Sequence, residues 1–108
     1  MRRILLGLVL VAAPIACKKT PADGRLGDEE CAALDQQIVE IGVREHLRTT
    51  SARAASEVAM VEAQTRADLS TGARARIAEC PTTRSREEYD CVMTATSSMA
   101  VEDCKRLR

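Results

Sequence analysis

From Asp28 onward the apolar residues recur at steps of three and four, the spacing of one face of an α-helix. Cys31, Leu34, Ile38 and Ile41 make a first stripe, widened by Val39 and Val43, with Asp28 as its expected N-cap and Glu29 and Glu30 in the first turn. "RTTS" at 48–51 is the expected break. A second stripe starts near Ser51 or Ala52 and carries Ala54, Val58 and Val61, with Met60 beside it. It loosens at "LSTG", where Gly72 can bend or break the helix, and resumes with Ala73, Ile77 and Cys80 until Pro81 stops it. Ser85 with Glu88 three residues later forms a capping-box pattern ahead of Tyr89, Val92, Met93 and Thr96. Ser98 is the expected cap of a last helix carrying Val101, Cys104 and Leu107. No period-two alternation is sustained anywhere. The expected fold is therefore all-α, a small hairpin or bundle of three or four helices. Leu34 and Ile38 of the first stripe are expected to face Val58 and Val61 of the second.

The first 16 residues follow another pattern. Arg2 and Arg3 precede an apolar run from Ile4 to Ile15, interrupted only by Gly7 and Pro14, and small residues lead to Ala16. This is the layout of a secretory signal, and the run falls short of the roughly 20 apolar residues of a spanning helix. Cleavage by the general signal peptidase after Ala16 would place Pro14 at the third-last position, a poor fit. Pro14-Ile15-Ala16-Cys17 resembles the lipobox of bacterial lipoproteins, departing from it at Pro14, where leucine is usual. That resemblance implies cleavage before Cys17 and acylation of its thiol and its new amine. Several acyl chains on one residue meet the condition for stable anchoring, at about 0.8 kcal/mol per buried CH₂. It also implies a periplasm-facing, lipid-anchored protein. Lys18 after the cysteine, rather than Asp, favours the outer over the inner membrane. The chain then divides into a signal peptide (1–16), a lipidated cysteine with a flexible tether (17–27) and a helical domain (28–108).

Setting Cys17 aside leaves Cys31, Cys80, Cys91 and Cys104, an even number in an oxidising compartment, which reads as two disulfides. Cys31 and Cys80 are equidistant from about residue 55, near the first break. Cys91 and Cys104 are equidistant from the Ser97-Ser98 turn. Pairing Cys80 with Cys91 and Cys31 with Cys104 is the alternative. It sets Cys91 about five residues into its helix, roughly 8 Å from the level of Cys80, whereas bridged Cα atoms lie within about 7 Å. The sequential pairing is favoured. By the chain-entropy model the long loop contributes about 4 kcal/mol and the short one about 3 kcal/mol.

Composition makes such staples necessary. Residues 17–108 include no Trp and no Phe, and Tyr89 is the one aromatic. A short chain without large aromatic side chains has little apolar area to bury. Beyond the signal, 14 basic and 16 acidic side chains are interspersed, which argues against a nucleic-acid partner. His46 is the single histidine and has no neighbouring nucleophile. There is no Cys-x-x-Cys and no zinc-module spacing, so neither a metal nor another cofactor is expected. No nucleophile-elbow motif or glycine-rich phosphate loop occurs, and no small-molecule substrate is evident. The glutamate pairs at 29–30 and 87–88 belong to first helical turns. An enzyme is not expected. Ala52, Ala55, Ala59 and Ala63 form a small-residue stripe, read as packing inward against the first helix.

The segment "AEC…YDCVMTATSSMAVEDC" is similar to the C-terminal half of small uncharacterised bacterial lipoproteins, with Cys-x10-Cys-x12-Cys and an Ala/Val-rich stretch after the middle cysteine. The resemblance implies a class and no activity. The expected function is a non-catalytic, lipid-anchored cell-envelope protein, structural or binding a protein partner. The alternative is a membrane-tethered thiol redox or metal-binding sensor.

Overall fold

The computed structural model describes residues 24–51 and 54–108. The expected signal peptide, Cys17 and most of the expected tether lie outside the described residues. Within them the fold is all-α: α1 Asp28–Thr49, α2 Ala55–Ser70, α3 Ala73–Thr83, α4 Arg86–Met93 and α5 Ser98–Cys104, then a 3₁₀ turn Lys105–Leu107. Five helices stand where three or four were expected, because the second stripe is two helices. Gly72 has φ +82°, a left-handed conformation that only glycine adopts without strain, and it caps α3 where α2 has ended.

The helix ends show where local signals give way to others. Gly27, not Asp28, is the N-cap of α1, and its N–H donates to the Glu30 carboxylate at 3.0 Å. A side chain from inside the first turn thus satisfies the terminal donor, and Asp28 stays free to meet the helix dipole. α2 begins at Ala55 rather than near Ser51, with the Ala54 N–H donating to Glu57 at 3.2 Å. Pro81 does not stop α3, which runs on to Thr83. The proline removes one donor, and the Thr82 and Thr83 hydroxyls both donate to the Glu79 carbonyl, at 3.0 and 3.1 Å. Ser85 caps α4 as expected, accepting from the Glu88 N–H at 2.9 Å. The reciprocal half of that box does not form, because the Glu88 side chain turns inward. Ser97 rather than Ser98 caps α5, accepting from the Ala100 N–H at 3.1 Å. Ser98 is the first helical residue, and its N–H is taken by Glu45 of α1 at 2.9 Å. Thr96 is exposed and follows the end of α4 instead of lying on its face.

α1 is the centre of the bundle and packs against each of the other four helices. Three pairs fix how it meets the α2–α3 arm: Cys31 with Cys80, Asp35 with Arg76, and Gly42 with Leu69. Their residue numbers keep a constant midpoint, between 55 and 56, so the arm runs antiparallel to α1. Leu34 and Ile38 consequently lie at the level of α3, and Val58 and Val61 at the level of the last turns of α1. The expected facing of these four residues is corrected: the register places the two pairs at opposite ends of α1.

The central core joins Leu26, Cys31, Leu34, Ile41, Cys80, Val92, Ala95, Val101 and Cys104. Leu26 is only 1 % exposed, so the packed domain begins before residue 28 and the tether does not extend to 27. Val39 and Val43, also buried, lie outside this cluster. α2 buries no residue fully. Ala55, Ala59 and Ala63 are exposed, contrary to the inward packing expected of them, and Ala52 of the same stripe lies outside the described residues. The half-buried Val58, Val61, Thr65 and Arg66 line the more sheltered side of α2 instead. Longer side chains reach across to α1 and leave the alanines outside.

Candidate functional site

The four domain cysteines form two disulfides, Cys31–Cys80 and Cys91–Cys104, each with a Cα–Cα distance of 5.8 Å. The first ties the start of α1 to the end of α3. The second ties α4 to α5. Cys31, Cys80 and Cys104 are buried, and Cys91 is partly buried at the edge of the core. A depression over the first bridge is lined by Leu34, Asp35, Ile38, Arg76 and Arg84 and has a volume of about 10 Å³. That is room for about one water molecule.

Around α1 the charged residues form a pattern that the apolar periodicity conceals. Glu30, Asp35, Glu40 and Glu45 stand five residues apart. Five residues turn an α-helix by about 500°, so each carboxylate points about 140° away from the last and meets a different helix. Glu30 holds Arg86 of α4 through two bonds of 2.7 and 2.9 Å. Asp35 holds Arg76 of α3 at 2.6 and 3.1 Å. Glu40 holds Arg66 of α2 at 2.9 and 2.7 Å. Glu45 takes the Ser98 N–H at the head of α5. The paired forks add geometric specificity to the charge. Arg76 also donates to the Leu69 and Thr71 carbonyls, at 3.0 and 2.7 Å, and so closes the open end of α2 beside the Gly72 break.

The surroundings of these groups are partly solvated. Arg66 and Glu40 keep 39 % and 32 % of their side-chain surface. Solvent screens such pairs and leaves them a small stabilising effect, well below the roughly 3–4 kcal/mol of each disulfide. The bridges supply stability and the carboxylates set register. Hydrogen bonding from Arg66 holds the Glu40 carboxyl below its usual range; partial desolvation opposes this, and the charges of Arg66 and Arg44 reinforce it. Hydrogen bonding from the Ser98 side chain, then from its N–H, lowers Glu45. Arg76 and Arg86 are shifted upward by their bonds to Asp35 and Glu30.

Glu88 is the one fully buried charged residue among the described residues, with no exposed surface. Its carboxylate accepts from Arg84 at 2.8 Å and from Arg108 Nε at 3.0 and 3.2 Å. The Ser85 hydroxyl, which caps α4, donates to the Leu107 carbonyl. These contacts fasten the 3₁₀ turn onto the head of α4. At the other end of α4, Gln37 donates to the Val92 and Ala95 carbonyls at 3.4 and 3.3 Å.

His46 is exposed in the last turn of α1. Among the described residues no three His, Cys, Asp or Glu side chains gather as a metal site would require, and no helix is long and apolar enough to cross a membrane. Sequence reading missed Glu88, whose position fits a cap as well as a core, and also the acidic ladder, whose five-residue step was available as a signal. No family model, no curated protein and no solved structure matches this chain.

Proposed function

We propose that the chain is a non-catalytic, lipid-anchored protein of the bacterial cell envelope whose helical domain is a structural or protein-binding module. The observation that carries this reading is the use of the cysteines. All four in the described domain are bridged, which leaves Cys17 as the odd thiol, and Cys17 stands where the lipobox-like stretch Pro14-Ile15-Ala16-Cys17 would be acylated. Two bridges in so small a domain suit an oxidising compartment, and that is where a lipoprotein signal delivers its cargo. Residues 17–23 span at most about 25 Å when extended, which would keep the domain close to the bilayer, and Lys18 favours the outer membrane. The bridging also weighs against a sensor built on reduced thiols. Expression in a Gram-negative host tests the reading. The wild type should partition into detergent with a mass carrying acyl chains on Cys17, and Cys17→Ser should stay unacylated. A wild type without acyl mass on Cys17 that partitions into the aqueous phase as Cys17→Ser does would overturn the anchor.

A further inference from the structure

We infer that the Cys91–Cys104 bridge is a redox-labile latch: a dithiol reductant opens it before Cys31–Cys80, and its opening frees α5 and the 3₁₀ turn while α1 and α3 stay stapled. The inference stands on access and on what each bridge holds. Thiol–disulfide exchange requires a thiolate to reach a sulfur. Cys31 and Cys80 are 1 % and 3 % exposed, so neither end of that bridge is open, whereas Cys91 is only partly buried. Attack at Cys91 Sγ forms a mixed disulfide with the reductant, breaks the bond to Cys104 and leaves Cys104 as a thiolate. Its second thiol then displaces Cys91, so that two electrons and two protons pass to the bridge and the reductant departs as a disulfide.

Cys104 is 1 % exposed, and an apolar site disfavours the thiolate formed there. Moving α5 outward relieves that cost, which couples the chemistry to the release. The freed segment has little to hold it. α5 has 7 residues and the 3₁₀ turn 3, below the roughly 12–15 at which an isolated helix becomes even marginal. Without the bridge it keeps the burial of Val101, the bond from Ser98 to Glu45, and the attachments of Leu107 and Arg108 to the head of α4. The α1–α3 pair, by contrast, retains its own buried disulfide and the Asp35–Arg76 fork. Release takes Val101 and Cys104 out of the core they share with Val92 and Ala95, leaving apolar surface on α1 and α4 uncovered.

The test is graded reduction of the purified full-length chain with dithiothreitol, with alkylation, peptide mapping and hydrogen exchange at each step. Label is expected on Cys91 and Cys104 at least about tenfold faster than on Cys31 and Cys80. In that intermediate, amide exchange over residues 98–107 should rise about tenfold or more while α1 and α3 keep their protection. Reoxidation should restore it. Opening of Cys31–Cys80 first, opening of both bridges in one step, or an opened Cys91–Cys104 with α5 still protected would each overturn the latch.

Discussion

Replacing Leu26 by alanine asks where the domain begins. Leu26 precedes α1 and is 1 % exposed among the core side chains. The substitution deletes three carbons, and at about 0.8 kcal/mol per buried CH₂ the transfer loss is about 2.4 kcal/mol. A residual cavity raises the cost of such truncations to as much as about 5 kcal/mol. Here the site has some freedom to collapse. Leu26 lies ahead of α1, outside any helix, and the contacts of the backbone beside it include a long bond from Arg86 to the Arg25 carbonyl at 3.5 Å, the Gly27–Glu30 cap and the Cys31 N–H on the Gly27 carbonyl at 2.9 Å. The expected loss is therefore about 2–3 kcal/mol. For a domain of this size each kcal/mol moves Tm by about 4–8 °C, so the midpoint should fall by about 10–20 °C. Circular dichroism at the helical band, under non-reducing conditions, measures this. Urea unfolding should show a lower midpoint with an unchanged slope, the mark of a stability change rather than a change in exposed surface. A Tm within about 2 °C of the wild type would refute the argument and return Leu26 to the tether.

Three further outcomes are expected. Glu88→Gln removes the charge between Arg84 and Arg108 while keeping the shape; because both arginines reach water, at 18 % and 39 % exposure, urea unfolding should show a loss of about 1–3 kcal/mol rather than the 3–5 of a sealed pair. Gly42→Ala would put a Cβ 2.8 Å from Leu69 Cδ1, but that is the tip of a side chain 40 % exposed; if Leu69 swings outward, the helical gain of about 0.5–1 kcal/mol survives, and a Tm drop of more than about 5 °C would refute it. Glu40 and Glu45 have folded-state values below the usual 4.5, so their contribution is full above the unfolded value and is lost as pH falls below about 4.5 through the depressed folded values; the Glu45→Gln chain should lose less stability than the wild type between pH 5 and about 3, and parallel curves would refute the role of the Ser98 contact.

Features decided within one or two turns were legible in the sequence. Helix content follows from three-and-four spacing, the cap at Ser85 from its neighbours, and the break near Gly72 from a backbone that lacks a Cβ. The favoured cysteine pairing was legible too, because straight antiparallel helices turn residue number into height. The structure joins those same pairs. What needed the tertiary structure was every choice among equivalent local options. Ser97 and Ser98 cap equally well by type; Ser97 takes the role because Glu45, 53 residues away, accepts the Ser98 N–H. Glu88 can close a capping box or enter the interior, and Arg84 and Arg108 draw it inward. The alanines of α2 make as good an inner face as its valines by type, yet in the fold Val58 and Val61 are half-buried while Ala55, Ala59 and Ala63 are exposed. Leu26 looks like part of a tether until helices distant in sequence form the pocket that buries it. Local propensity specifies that a segment is helical; the face it buries is set by the groups that arrive from elsewhere in the chain.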